Sequence, residues 1–245
     1  MRSTATLLAT ITALSFPLVA SAEEISEARI KKLVAAAIRE NPELILEALQ
    51  ALEQKQAESQ AAAAQSVLTT ERSTLERDPN APVLGNPEGD VTIVEFFDYN
   101  CPYCKRVMPD LTALKAADPG IRMVMREWPI LGEGSVYAAR AALAARKQGK
   151  YAEMHDALMG MRGKLAEEAV LRVAAEVGLD VEQLKTDMQS PEVEEHIATS
   201  MRLAEALGFN GTPSFVIGEA LIPGLVEKAV LEEAVAAARA AAPAP

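Results

Sequence analysis

The most informative stretch of this sequence reads Glu95-Phe96-Phe97-Asp98-Tyr99-Asn100-Cys101-Pro102-Tyr103-Cys104-Lys105-Arg106. Its first three residues end a run from Val91 to Phe97 that is β-branched or aromatic apart from Glu95. This composition predicts a β-strand. Pro102 suits the first turn of a helix, because the N–H that proline lacks has no helical partner at that position. The sequence therefore predicts a strand that runs directly into a helix, with Cys101 at the helix N-terminus.

Cys101 and Cys104 are the only cysteines of the chain. Unpaired backbone N–H groups and the positive end of the helix dipole lower the pKa of a cysteine at the first turn. We therefore predict that Cys101 is an exposed nucleophile that forms a mixed disulfide with a partner, and that Cys104, one turn later, resolves it. Pro102 and Tyr103, which separate the two cysteines, are expected to tune their reactivity.

Two structural uses of the cysteine pair are the alternatives. A permanent disulfide would close so short a loop that it would remove little entropy from the unfolded chain. A zinc site needs two further ligands, and the only histidines are His155 and His196, each predicted to lie on the solvated face of a distant amphipathic helix. Redox chemistry is therefore favoured, and no metal or cofactor is expected.

Glu95 and the pair Thr212-Pro213 are predicted to assist the cysteines. Glu95 precedes Cys101 by six positions in an otherwise apolar strand, which predicts a buried carboxylate with a raised pKa that exchanges a proton with Cys104. A glutamate that reaches solvent at the strand end is the alternative. Pro213 opens a short β run, although proline is excluded from central strands without a special role. A cis Thr212-Pro213 bond would present a backbone edge to a bound peptide, and an ordinary trans turn is the alternative.

The cysteine pair at a strand–helix junction, the acid six residues earlier and the late Thr-Pro before a strand resemble the DsbA-like branch of the thioredoxin superfamily. In that branch a helical insertion divides the fold, and this chain is mostly helical from about residue 135 to 208. The resemblance implies an α/β thioredoxin fold with Cys101 as nucleophile and Cys104 as resolving cysteine. It also implies that Glu95 is the buried acid and that Thr212-Pro213 forms a cis-proline loop.

Tyr103 stands where many DsbA enzymes have histidine. Because tyrosine supplies no positive charge to the thiolate, the residue argues against strongly oxidising behaviour. The additional helical segment at the N-terminus makes the chain most similar to periplasmic disulfide isomerases of the ScsC type.

Residues 1–22 have the features of an export signal. Arg2 precedes an apolar run, and Ala20-Ser21-Ala22 provides the small residues of a cleavage site. The apolar run is too short and interrupted for a membrane span, and an uncleaved anchor is the alternative. Export to an oxidising compartment suits a cysteine pair that cycles between its redox states, so a periplasmic location is expected.

Residues 23–79 predict an all-α segment with two apolar stripes at helical spacing. The stripes consist of Ile30, Leu33, Val34, Ala37 and Ile38, and of Leu44, Ile45, Ala48, Leu49 and Leu52. A single helix from residue 42 to 77 would be about 50 Å long, too long to pack entirely on its own domain. We therefore expect a homo-oligomer formed through Ile30 to Leu52, with a trimer suggested by the resemblance. A segment folded back on the same chain is the alternative.

The sequence Asp78-Pro79-Asn80-Ala81-Pro82 is expected to mark the boundary of a catalytic domain, residues 80–245. Within it, Val83-Leu84 predicts an edge strand, Ile121 to Trp128 a buried strand, and Ser135 the cap of the helical insertion. Phe215 to Ile217 and Ala220 to Ile222 are predicted to pair as a hairpin across Gly218-Glu219. The formal net charge of −11 makes a nucleic-acid partner unexpected.

The expected function is thiol–disulfide exchange on misfolded or reduced exported proteins, together with a membrane redox partner. Isomerisation is favoured over dithiol oxidation. A peptide-binding chaperone, or a copper-handling protein that uses the thiolates as soft ligands, is the alternative from another class.

Overall fold

The computed structural model describes residues 26–241, so the predicted signal peptide, residues 1–22, lies outside the described residues. The helices are α1 (Glu27–Glu40), α2 (Glu43–Thr70), α3 (Arg72–Arg77), α4 (Pro102–Ala117), α5 (Glu133–Ala145), α6 (Tyr151–Gly160), α7 (Glu167–Val177), α8 (Val181–Asp187), α9 (Pro191–Ala206) and α10 (Lys228–Ala241). The strands are β1 (Val83–Gly85), β2 (Val91–Phe97), β3 (Ile121–Glu127), β4 (Ser214–Ile217) and β5 (Ala220–Pro223). Within residues 26–241, no helix combines the length and the apolar content that crossing a bilayer requires.

The five strands form one mixed sheet in the order β1-β3-β2-β4-β5. β2 and β3 are parallel, whereas the other neighbouring pairs are antiparallel. Every residue of β2 and β3 is buried, because helices cover both faces of the sheet. The predicted α/β thioredoxin fold is confirmed, including the edge strand β1, the buried strand β3 and the β4–β5 hairpin.

Successive residues of β2 point into two different cores, as the pleat of a strand requires. Ile93 and Phe97 pack with α4, the insertion helices and α10 on one face. Val94 and Phe96 pack on the opposite face, together with Leu68, Leu203 and Phe209 among others. Glu95 therefore points toward the face that carries the active-site helix.

The helical insertion begins at Glu133 and not with a cap at Ser135. Gly132 precedes the first helical residue with a φ of 107°, a conformation that favours glycine. Ser135 lies inside the first turn, where it is buried and its hydroxyl accepts a hydrogen bond from the Asn100 side chain at 3.0 Å. The expected cap was wrong because glycine, not serine, changes the chain direction here.

The structure divides the chain into one compact unit that ends at Gln54 and a second that begins at Lys55. This division lies earlier than the expected boundary at residues 79 and 80. Leu68 and Leu75 are 1% and 0% exposed and belong to the core on the far face of the sheet. Residues 55–79 are therefore part of the catalytic unit, and residues 53–65 lie within the continuous helix α2.

Arginine side chains of the catalytic unit hold the segment that follows α2. Arg126, which is fully buried, binds the Asp78 carboxylate at 2.8 Å and also the carbonyl of Thr74. Arg146 donates to the carbonyl of Asn80 at 2.6 Å. The prolines in this segment end the helix as predicted, but the arginines satisfy its free carbonyls and keep it on the domain.

The first unit exposes most of its large apolar side chains. Nine of the fourteen exposed large apolar side chains in the described residues lie between Ile30 and Leu52, and no residue of α1 is buried. Contiguous apolar surface of this kind marks an interaction site. Both predicted stripes are therefore present on helices, and they are exposed in the single chain.

Candidate active site

Cys101 is the residue that caps the N-terminus of α4, and Cys104 lies in the first turn. Both cysteines are free thiols. The structure corrects the expectation that Cys101 is exposed, because its residue surface is only 3% accessible. The loop before β4 covers the sulfur, and Sγ lies 3.2 Å from the carbonyl oxygen of Thr212.

The two thiols have opposite acidities. A hydrogen bond from Cys104, followed by contributions from Thr212 and the backbone N–H groups of Cys104 and Tyr103, lowers the pKa of Cys101 to about 6 despite its burial. Burial is the main reason that the pKa of Cys104 lies far above its ordinary value, and the nearby Cys101 and Glu95 raise it further. At neutral pH the site therefore holds a Cys101 thiolate beside a protonated Cys104.

Glu95 is buried, as predicted, with 2% of its surface exposed. Burial raises its pKa to about 8, with smaller upward contributions from Glu127 and Cys101. The ammonium group of Lys115 acts in the opposite direction. A carboxyl group with a pKa near the working pH can both accept and return a proton, which suits the predicted exchange with Cys104.

A narrow cavity lies behind Cys104, and Glu95, Lys115, His155 and Asp156 contribute to its wall. Its free space of about 10 Å³ is close to the minimum that one water molecule needs. Asp156 is exposed and Lys115 is half-buried, so both can link the cavity to solvent. The cavity offers a short path between Glu95 and bulk water.

Lys115 and Asp156 were not among the residues predicted from the sequence. Cys104, Met108, Leu111 and Lys115 recur at the i, i+4, i+7 and i+11 positions of one helix, so they share a helix face. This spacing is a signal that could have identified Lys115. Asp156 comes from α6, and only the packing of α6 against α4 brings it to the site.

The two histidines do not lie on solvated faces, which corrects the sequence-based expectation. His155 and His196 are 4% and 0% exposed. Each has a buried polar partner, because Nδ1 of His155 lies 3.1 Å from the Tyr99 hydroxyl and Nε2 of His196 lies 2.7 Å from a Glu127 oxygen. Among residues 26–241, no group of three or more His, Cys, Asp or Glu side chains is arranged to hold a metal ion.

The Thr212-Pro213 peptide bond is cis, as the resemblance implies. The carbonyl of Pro213 accepts a hydrogen bond from the Gly224 N–H at 2.8 Å, whereas Thr212 faces Cys101. A groove beside this loop is lined by Tyr103, Phe209, Thr212, Leu221 and Leu225, among others. Tyr103 is 55% exposed at the groove, next to the reactive sulfur.

Comparisons with known proteins agree with this geometry. The family profile of the DSBA-like thioredoxin domain matches residues 92–236, and that of the copper resistance protein ScsC N-terminal domain matches residues 27–59. A thioredoxin-like oxidoreductase from Silicibacter pomeroyi is 67% identical in sequence, with a TM-score of 0.69, over 70% of this chain and 99% of that chain. A linker-deletion mutant of ScsC from Proteus mirabilis is 26% identical, with a TM-score of 0.68, over 91% of this chain and 100% of that chain.

Part of the sequence also matches antiporters. The Na(+)/H(+) antiporter NhaA 3 of Salinispora tropica is 32% identical over 137 residues, which are 55% of this chain and 21% of the antiporter. This chain thus spans about a fifth to a quarter of the length of the curated relatives that it matches.

The acidity of Cys101 predicts how its alkylation depends on pH. In the reduced protein, the rate of Cys101 labelling by iodoacetamide should rise through a midpoint at about 6, while Cys104 stays unlabelled. Cys104→Ala removes the thiol that contributes most to this acidity, so the midpoint should move toward the ordinary cysteine value. Cys104→Ser keeps a hydrogen-bond donor, the serine hydroxyl, and should therefore move the midpoint less. Equal midpoints in the two variants would contradict this assignment.

Glu95 predicts a second pH dependence, in the release of a thiol from a mixed disulfide at Cys101. The predicted transfer of the Cys104 proton to ionised Glu95 requires the rate to rise with pH and to level off at about 8 or below, since the Cys101 thiolate that raises the pKa of Glu95 is absent from the mixed disulfide. Glu95→Gln should slow release by about a hundredfold. Stopped-flow fluorescence would measure both effects.

Lys115→Gln should move the midpoint of this release upward, because it removes the charge that favours ionised Glu95. Lys105→Gln is the matched control, since Lys105 is on the same helix but donates to the Met161 carbonyl. A pH profile that is the same in wild type and Glu95→Gln would leave Glu95 with no part in proton transfer.

Proposed function

The chain belongs to the DSBA-like thioredoxin family, and on that premise we propose that it is an exported thiol–disulfide exchange enzyme whose main reaction is the isomerisation of protein disulfides. The observation that carries the proposal is the pairing of a Cys101 whose pKa is lowered to about 6 with a Cys104 that burial keeps protonated. Such a pair attacks disulfides readily. Its second thiol remains available to release the product.

The proposed reaction begins when the Cys101 thiolate attacks one sulfur of a substrate disulfide. The substrate S–S bond breaks, a mixed disulfide forms, and the other substrate sulfur leaves as a thiolate. That thiolate can attack a different disulfide of the same substrate, and a substrate thiolate finally displaces Cys101. Bonds are exchanged without net oxidation, and Cys101 returns to its starting state.

Cys104 releases the substrate from the mixed disulfide when rearrangement fails. Glu95 takes the Cys104 proton, the resulting thiolate attacks Cys101 Sγ, and the substrate leaves as a thiolate that is protonated by water. Because the pKa of Glu95 is raised to about 8, Glu95 is mostly protonated at neutral pH, and release of the substrate by this route is slow. A long-lived mixed disulfide gives the substrate time to rearrange, which favours isomerisation over simple reduction.

The substrate class that we propose is misfolded or reduced exported protein. The groove beside Thr212 is largely apolar, and the adjacent Tyr103 is exposed. Unfolded segments present apolar side chains and free backbone groups, and such a groove can hold both. We further propose a periplasmic location and a membrane redox partner that resets the cysteines, supported by membership of a family with periplasmic relatives of the ScsC type.

The first unit supports a proposal of self-association. Its exposed apolar side chains between Ile30 and Leu52 fall within the match to the ScsC N-terminal domain. Burying them against copies of the same segment would bring several active sites around one substrate. We propose a homo-oligomer, with a trimer suggested by the resemblance to ScsC.

A double substitution tests whether self-association serves isomerisation. Leu33→Glu combined with Leu49→Glu places charges on two residues that are 57% and 52% exposed, and it should convert an oligomer into a monomer. The variant should recover less activity from scrambled ribonuclease, while its oxidation of reduced ribonuclease stays the same or rises. Light scattering measures the mass, and ribonuclease activity measures both reactions.

Met201→Glu is the matched control for this experiment, because Met201 is an exposed apolar residue of the second unit, 47% accessible. It should leave both the mass and the isomerisation unchanged. If the wild-type chain without residues 1–22 is already a monomer at micromolar concentration, the self-association proposal fails. Dithiol oxidation would then be the better description of the activity.

A copper-handling or chaperone role is the second candidate. The thiolate of Cys101 beside Cys104 is a pair of soft ligands that suits Cu(I), and the first unit matches a domain named for copper resistance. A protein with Cys101→Ser and Cys104→Ser would lose thiol–disulfide exchange but keep chaperone activity. Stoichiometric Cu(I) binding by the reduced wild type, together with no exchange activity, would favour copper handling.

A further inference from the structure

Five buried polar side chains form a connected set behind the active site: His155, Tyr99, Tyr151, Glu127 and His196. The Tyr99 hydroxyl lies 3.1 Å from His155 Nδ1, and the two tyrosine hydroxyls also interact. Tyr151 donates to Glu127 Oε1 at 2.6 Å, and Glu127 Oε2 lies 2.7 Å from His196 Nε2. None of these side chains has a role in the reaction described above. Each of the five residues is at most 7% exposed.

The set begins at the catalytic cavity, because His155 lines the same space as Glu95 and Cys104. Glu127 is the last residue of β3 and pairs with Phe97, while Glu95 pairs with Met125. Residues two apart on a strand point to the same face. Glu127 and Glu95 are therefore two buried carboxyl groups on neighbouring strands that face the same layer of helices.

His196 contacts Asn80, Glu127 and Ser200 through its two ring nitrogens. Nδ1 lies 3.1 Å from the carbonyl of Asn80, which can only accept a hydrogen bond, so Nδ1 carries a proton. If His196 had no other proton, Glu127 Oε2 would be buried without a donor, although it lies 2.7 Å from Nε2. A proton on Nε2 would supply that donor.

The charged and titratable groups around Glu95 come from three elements. α4 contributes Cys101, Cys104 and Lys115, α6 contributes His155 and Asp156, and β3 contributes Glu127. Lys115 favours ionised Glu95, whereas Glu127 disfavours it. Burial lowers the pKa of His155 to about 4, so its ring is neutral and cannot offset Glu127. His196 is the basic group in contact with Glu127, with Nε2 2.7 Å from Oε2.

We propose that Glu127 is a positioning residue for thiol–disulfide exchange, and that its charge, moderated by its contact with His196, adjusts how readily Glu95 accepts the proton of Cys104. This inference rests on the proposed function. On this proposal, Glu127 and His196 influence how long the mixed disulfide lasts before the substrate is released, although neither residue contacts the substrate.

The pair also binds Asn80, so a purely structural role is the competing explanation. His196 holds the Asn80 carbonyl through Nδ1, and Arg146 holds the same oxygen at 2.6 Å. A structural role predicts that variants of the pair lose stability and leave the pH profile of Glu95 in place. A role in setting charge predicts shifts in that profile, with opposite signs for the two partners.

The test measures release of glutathione from its mixed disulfide with Cys101, in the full chain without residues 1–22, between pH 5 and pH 10. Glu127→Gln keeps the shape of the side chain and removes its charge, so the midpoint should fall by about half a pH unit. Release at pH 7 should become about twofold faster, because the gain in ionised Glu95 exceeds its loss of basicity. His196→Gln leaves Glu127 uncompensated, and the midpoint should rise.

Asp78→Asn is the matched control. Asp78 pairs with Arg126, which precedes Glu127 in β3 and therefore points to the opposite face of the sheet. The control variant should lower the urea midpoint of unfolding but leave the pH midpoint of release unchanged. An unchanged or raised midpoint in Glu127→Gln contradicts the proposal. If that variant does not fold, His196→Gln decides, and an unchanged or lowered midpoint there is the contradicting result. Failure of the wild type to form or release the mixed disulfide would instead overturn the proposed function.

Discussion

The parallel pairing of β2 with β3 places a carboxyl group in the centre of a sheet that is buried on both faces. Burial there disfavours the ionised form of Glu95, so its proton stays bound at a pH where an exposed glutamate would be ionised. Cys104 lies above it in the first turn of α4, where burial also keeps its proton in place. Cys101, one turn earlier, faces hydrogen-bond donors and becomes the acidic thiol. The difference between the two cysteines thus depends mainly on the burial of Cys104 and on the hydrogen bonds that Cys101 receives, with Glu95 adding to the first effect.

This arrangement connects the chemistry to the proposed function. A thiolate at Cys101 favours attack on a disulfide. Release is expected to be slow, because Cys104 is protonated and Glu95, the proposed base, is itself mostly protonated at neutral pH. The same chain presents an apolar groove beside the thiolate and exposed apolar stripes in its first unit. In the proposed function, slow release, binding of unfolded segments in the groove and self-association of the first unit would together favour rearrangement of wrong disulfides over a single transfer of oxidising equivalents.

Local patterns in the sequence predicted the strand–helix junction, the buried Glu95, the β4–β5 hairpin and the helical insertion. Contacts between distant segments explain what was missed. Cys101 is covered by a loop more than a hundred residues later, and the histidines are buried because Tyr99 and Glu127 satisfy them. The boundary near Pro79 was placed too late because buried Arg126 holds Asp78 to the sheet. Glu127 could have been identified by the reasoning that identified Glu95, since it ends a strand that is equally buried.

The central claim is that Cys101 is ionised while Cys104 keeps its proton, and the pH dependence of the reduction potential tests it most directly. Equilibration of the chain with glutathione buffers gives the potential at each pH. Reduction to two thiols takes up two protons, whereas reduction to a thiolate and a thiol takes up one. The slope should therefore change from about 59 to about 30 mV per pH unit near the Cys101 pKa of about 6. A slope that stays near the larger value up to pH 8 would show that both cysteines remain protonated and would contradict the account.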